Sequence, residues 1–144
     1  MKKLFLIGAD EGSFDYNRNF DHSKVEKREV EIRLQVEMVF KKGVDIVTFR
    51  IFVRYSLGKE QLLDYNTTLG FKVIGWSEYV EPMKDEEILN TAEVHRMLAV
   101  SVGFLRGSLS LQERSTPFKG AFLPLIDIEA LKKNVIINRL PVDI

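Results

Sequence analysis

The residues of this chain able to do chemistry are few, and their spacing assembles no reaction. Two histidines, His22 and His95, stand far apart, and there is no cysteine. Thiolate metal sites and disulfides are therefore excluded, and a histidine site would need both rings plus carboxylates brought together by the fold. The acidic residues Asp10, Glu11 and Asp15 are close enough in sequence to share a proton, but no pocket signature surrounds them, and a surface role is the simpler reading. Asp64 alternates outward from a strand and reads as a solvated residue. His95 falls on a helical stripe with no carboxylate in sequence to orient it, which reads as a core histidine rather than a general base. No phosphate-cradling G-x-x-x-x-G-K-[ST], no G-x-G-x-x-G, no G-x-S-x-G and no H-E-x-x-H occurs. The chain reads as a non-enzyme that needs no cofactor and no metal.

Bulk properties narrow the partners. Lys+Arg and Asp+Glu both number 21, so the formal net charge is zero. A nucleic-acid binder would show a basic excess to neutralise phosphates, so nucleic acid is not an expected partner. Zero net charge also gives little protection against self-association. The apolar run Leu4–Ile7 after Met1-Lys2-Lys3 is shorter than the roughly 7–15 residues of a signal peptide core. No stretch approaches the roughly 20 apolar residues of a membrane span. The expectation is a cytoplasmic protein without membrane insertion, and 144 residues suit a single domain over residues 1–144.

The elements that must position any site follow from periodicity. Val30, Ile32, Leu34, Val36, Met38 and Phe40 alternate with Glu29, Glu31, Arg33, Gln35 and Glu37, the period of a strand with one wet face. Val47 to Tyr55 and Leu63 to Val73 repeat the pattern, with turns at Lys41-Lys42-Gly43 and Leu57-Gly58-Lys59. Three such strands joined by short turns make an antiparallel meander. Leu4 to Phe14 predicts one more strand, and Asp15 to Lys24 a long connection. After Pro82 the period becomes helical. Asp85-Glu86-Glu87 opens a helix, with Ile88, Ala92, His95, Ala99 and Val102 on the face predicted to meet the sheet. A short helix follows from Asp127 through Lys132 and Lys133. The expected fold class is α+β: a four-stranded antiparallel sheet, a long helix and a short C-terminal helix.

Two features go beyond architecture. Met97, Val100 and Phe104 are placed opposite the predicted sheet-facing stripe, and no charge stands between Arg96 and Arg106. A helix on a single sheet should carry a polar outer face, so this spacing predicts that a second subunit covers Met97, Val100 and Phe104. Gly103 and Gly107, four apart, read as close packing. The proline-bracketed loop from Thr116 to Ile126 holds Phe118 and Phe122 with several aliphatics. Exposed apolar loops mark binding surfaces, which makes Phe118 and Phe122 candidates for partner contact as against tucking onto the core.

The order of these segments resembles the SecB family of export chaperones over most of the chain. Ser13-Phe14-Asp15 with Glu11 before it is similar to the family's first strand, and Ser56-Leu57-Gly58-Lys59-Glu60 to its hairpin between the third and fourth strands. Phe104-Leu105-Arg106-Gly107, Thr116-Pro117-Phe118 and Leu123-Pro124-Leu125-Ile126-Asp127 resemble the end of its long helix and the loop leading to its last helix. The resemblance implies a homotetramer, a dimer of dimers, that binds unfolded client polypeptides without ATP in an apolar groove. Phe14, Tyr16, Phe20, Phe104, Phe118, Phe122 and Leu123 would line that groove. Replacing Phe118 and Phe122 by Ser would then weaken client binding and leave the fold intact.

Docking on the translocase motor SecA would use Glu11, Asp15, Leu57 and Glu60. Lys59 reverses an expected acidic charge, the net charge is zero, and the sequence ends at Pro141-Val142-Asp143-Ile144 instead of an acidic tail; these departures count against SecA. A dedicated client such as an antitoxin fits the same resemblance. Two other classes share the sheet-plus-helix order. A helix-grip protein would hold a small hydrophobic ligand between helix and sheet as a monomer, and an oligomerisation module would bury the helix without affinity for unfolded chains. Hot-dog thioesterases share the sheet-plus-helix theme but carry their central helix early in the chain, whereas here it follows the strands.

Overall fold

The computed structural model describes residues 1–21, 29–118 and 123–141. Its elements run β1 Leu4–Tyr16, β2 Glu31–Lys41, β3 Ile46–Leu57, β4 Glu60–Val73, α1 Trp76–Val80, α2 Asp85–Leu89, α3 Ala92–Glu113, α4 Ile128–Lys132 and β5 Val135–Leu140. The predicted meander is there: β2 pairs with β3 from Glu31↔Ser56 to Phe40↔Val47, and β3 pairs with β4 from Ile46↔Lys72 to Leu57↔Glu60. Gly43 and Gly58, both at positive φ, make the two turns. β1 adds antiparallel to β4, with register shifts between Leu6 and Gly8 and between Glu11 and Phe14.

The sheet differs from the expected four antiparallel strands. It has five, in the order β1-β4-β3-β2-β5, and β5 runs parallel to β2 with Val36 opposite Val135. The sheet is therefore mixed. The β-branched run Val135-Ile136-Ile137 supplies the strand propensity, and α4 turns the chain back onto the open edge of β2.

One face of the sheet is dry. Met38, Phe49, Ile51, Tyr55, Tyr65, Leu69 and Phe71 point to it and are all but completely buried under α3. Phe49 and Phe71 meet edge to face at 6.1 Å, a geometry that adds attraction beyond the buried area. The other face carries Arg33, Gln35, Glu37, Arg50, Phe52, Arg54, Asp64 and Asn66, alternating as expected. Asp64 accepts from Arg54 Nε at 2.8 Å rather than standing alone.

The helical region is built in pieces. Asp45 takes the backbone N–H groups of Gly75 and Ser77 at 3.0 Å each, holding the start of α1 against the β2–β3 turn. The helix predicted from Asp85 stops at Asn90, and Thr91 restarts it, its hydroxyl accepting from the N–H of Val94 at 3.2 Å. That break resets the phase. The buried side of α3 is Val94, Met97, Leu98, Ser101, Val102, Leu105, Ser108 and Leu109, while Ala92, His95 and Ala99 face outward. Of the predicted sheet-facing stripe, only Ile88 and Val102 are buried.

The cap at Thr91 opens α3, so its loss falls on the longest element. Thr91→Ala is expected to lower stability by about 1 kcal/mol, seen as a lower urea midpoint with an unchanged slope.

Candidate functional site

The groove and interface residues divide by depth. Phe118 is 1% exposed, its ring 5.8 Å from that of Tyr55 in an edge contact, and Leu123 is buried too. The loop carrying Phe118 is drawn in by two hydrogen bonds of Thr116, whose hydroxyl donates to Glu113 C=O and accepts from the N–H of Phe118. Arg106 holds the far side, donating to the carbonyls of Leu123 and Pro124. Phe118 and Leu123 are thus core residues of this chain, not groove surface. Phe122 lies outside the described residues.

Phe14, Tyr16, Phe20 and Phe104 remain half-buried. Phe14 stacks edge-on against Tyr65 at 5.8 Å and lies 6.2 Å from Tyr16. Arg18 caps the Tyr16 ring at 4.4 Å, within cation–π range. Tyr16 opens onto a cleft of about 410 Å³ shared with Asp15, Asn17, Arg18, Asn19 and Gln61. The edge between β1 and the β3–β4 hairpin therefore exposes aromatic faces beside polar groups. Such a surface gives sequence-tolerant contact with an extended chain. Phe104, on α3, sits among this helix's outward residues.

The interface residues are rearranged by the phase of α3. Met97, expected on the outer face, is completely buried against the sheet. The actual outer face holds Ala99, Val100, Gly103, Gly107, Ser110 and Leu111, with Val100 40% and Leu111 59% exposed. A Cβ on Gly103 or Gly107 would meet nothing within 4 Å. Each glycine costs a helix about 1 kcal/mol relative to alanine, and among the described residues no close approach requires either. Between Arg96 and Arg106 the helix carries no charge, and the strip continues past Arg106 to Gly107 and Leu111.

The carboxylates singled out in sequence do not share one surface. Glu11 lies opposite the buried Thr67 and points to the helix side, taking the Tyr65 hydroxyl at 2.7 Å. Asp15 lies opposite Asp64 on the outer face and pairs with Arg18 at 3.8 Å. Leu57 and Glu60 face each other at the hairpin end. A docking surface formed jointly by Glu11 and Asp15 is therefore not present on one face. The centre of the outer face is instead set with Arg33, Arg50 and Arg54 around Phe52.

Buried polar groups serve the frame. The Tyr55 hydroxyl donates to Glu113 at 3.0 Å with both residues buried. Burial, then the Glu113 carboxylate, pushes the Tyr55 hydroxyl far above its usual range. Glu93 accepts the backbone N–H of Lys2 at 2.8 Å and tethers the start of β1 to α3. His95 is exposed and meets Glu129 of α4 at 3.2 Å, so the core role predicted for it does not hold. The neighbouring Lys132 and then His95 hold the Glu129 carboxyl below the usual range. Among the described residues no group of three histidine or carboxylate side chains could hold a metal ion, and no helix is long and apolar enough to cross a membrane.

Sequence reasoning missed β5 and left the burial of Phe118 open. The Val135-Ile136-Ile137 run was the available signal for the strand. The Thr116-x-Phe118 spacing was the signal for a hydroxyl-anchored turn, which a proline-rich reading obscured. No protein-family model matches this chain, and no curated protein is similar to it.

Removing Phe118 empties a core position. Phe118→Ser is expected to lower stability by about 3–5 kcal/mol, against the intact fold anticipated from sequence. Urea unfolding of the variant measures it, and a loss below about 1 kcal/mol would mean the ring is not held on Tyr55.

Proposed function

We propose that this chain is an ATP-independent holdase that binds unfolded polypeptides and works as a homo-oligomer, a tetramer built as a dimer of dimers. The observation that carries the reading is the set of aromatic rings left half-open near the end of β1, Phe14, Tyr16 and Phe20, beside the polar groups of the adjoining cleft. Rings of this kind bury apolar surface against many different sequences while adjacent polar groups accept whatever backbone comes with them. The resemblance to SecB chaperones points the same way. The clients would be cytoplasmic, either preproteins or a dedicated client such as an antitoxin. The split of Glu11 and Asp15 between two faces weighs against hand-over to SecA.

The oligomer follows from the outer face of α3. Val100, Gly103, Gly107 and Leu111 form an uncharged strip whose glycines leave open space, and close approach of a second helix explains both features. The same account extends to the start of β1, where Phe5, Leu6 and Ile7 are each more than half exposed. An oligomerisation module without client affinity is the second reading, favoured by that same strip. A helix-grip ligand protein is disfavoured, because Met97, Leu98, Leu105, Phe49 and Phe71 fill the layer between helix and sheet.

Two variants separate these readings. Gly103→Leu should fold at least as stably as the parent, since its side chain enters open space and raises helix propensity, yet it should elute as a smaller assembly. An unchanged mass by light scattering would reject α3 as the contact. Tyr16→Ser with Phe14→Ser should keep the assembly and weaken binding of a permanently unfolded chain by about tenfold. Full affinity in that double variant, read by fluorescence anisotropy, would reject the aromatic edge as the binding surface.

A further inference from the structure

The fifth strand leaves the sheet with an open edge of its own. Leu140 C=O accepts from Lys42 N–H at 3.1 Å, so the backbone of Leu140 faces β2. Strand backbones alternate in direction. Ile136 and Asn138 therefore also face β2, and the N–H and C=O groups of Ile137 and Arg139 point away from the sheet. The two edges of the sheet are not alike. β1 carries two register shifts and the charges Asp10, Glu11 and Asp15, devices that discourage pairing. β5 pairs with β2 without a register shift, carries no lysine, and meets a proline only at Pro141, beyond its end. Its one charged side chain is tied down: Arg139 donates to Asp85 at 2.9 Å and to the Met83 carbonyl at 2.7 Å. Ile136 and Leu140 are 53% and 41% exposed.

We infer that the free edge of β5 is a docking site for an extended polypeptide segment, which joins the sheet as a sixth strand. The occupant is set by what the edge offers. Outward N–H and C=O groups at strand spacing are matched only by another extended backbone. A cleft of about 260 Å³ lies beside the end of the strand, walled by Phe40, Val80, Leu140 and Pro141, with the Lys42–Glu81 ion pair at its rim. It suits one aliphatic or aromatic side chain of the incoming segment. A second copy of this chain is a poorer fit, because six residues a side fall well short of the roughly 20–30 residues a side of a stable dimer. The inference deepens the holdase reading and rests on it: the aromatic edge near β1 supplies side-chain contact, and β5 supplies backbone contact at the opposite end of the sheet.

Proline at position 137 removes an outward N–H and leaves the bonds to β2 in place, a substitution that edge strands tolerate. The test measures binding of fluorescent, reduced and carboxymethylated lactalbumin to the parent, Ile137→Pro and Ile137→Ala, with folding and mass checked for each. Ile137→Pro is expected to lose about tenfold in affinity while Ile137→Ala, which keeps the N–H, stays within about threefold. Hydrogen exchange on the parent gives a second readout that needs no variant: the Ile137 and Arg139 amides should gain protection when the client is added. If the parent binds the client but these amides gain no protection, or if Ile137→Pro folds and binds fully, the strand-addition site is overturned and the holdase reading stands. Equal losses in both variants would also overturn it, since the side chain and not the backbone would then be responsible. Protection that rises with protein concentration alone would assign the edge to a second copy and overturn it as well. A parent that binds no client ends both readings.

Discussion

The seam between α3 and the inner face of β3 and β4 decides what every other surface of this molecule is left to do. Val94, Met97, Leu98, Val102, Leu105 and Leu109 are buried there against Phe49, Ile51, Tyr65, Leu69 and Phe71. A helix has one rotation about its own axis that puts such a set onto a flat sheet. Once that rotation is chosen, Ala99, Val100, Gly103, Gly107 and Leu111 must face away. The apolar outer strip is thus a direct consequence of the core. It would be unfavourable in an isolated chain, and the two glycines make it flat enough for another helix to approach.

Hydrogen bonds at the rim of this seam hold the strands and the loop to the helix. The Tyr55–Glu113 pair and the Thr116 turn draw Phe118 inward, and the Glu11–Tyr65 bond sets the neighbouring β1 segment against β4. With Phe118 committed to the core, the groove candidates left half-open among the described residues are Phe14, Tyr16 and Phe20 toward the end of β1, and Phe104 on the outer helix side. Depth, and not residue type, separates the aromatics that build the protein from those available to a partner.

Much of the fold is legible in the residues themselves. The alternation from Val30 to Phe40 and its two repeats require the meander, and Asp127 caps the short last helix as its position suggests. The phase of α3 is harder to read. A helix counted from Asp85 carries its stripe onto Ala92, His95 and Ala99; the interruption at Asn90-Thr91 shifts the buried side to Met97 and Leu98. A single threonine cap thereby moves Met97 from expected interface to core. β5 was hidden because six residues with only weak alternation resemble many loop ends, and a parallel partner lies about a hundred residues away in the chain. The site was legible in its residue types and not in their depth: Phe14 and Phe118 look alike in sequence, and only tertiary contacts distinguish them.

Whether this chain holds unfolded polypeptide as an assembly is tested most directly by light scattering behind size-exclusion chromatography, with and without reduced, carboxymethylated lactalbumin and with no nucleotide present. A tetrameric holdase gives a mass near four times the 16.6 kDa of the chain, and a heavier peak in which the client co-elutes. A single-chain mass with the client eluting separately would contradict it.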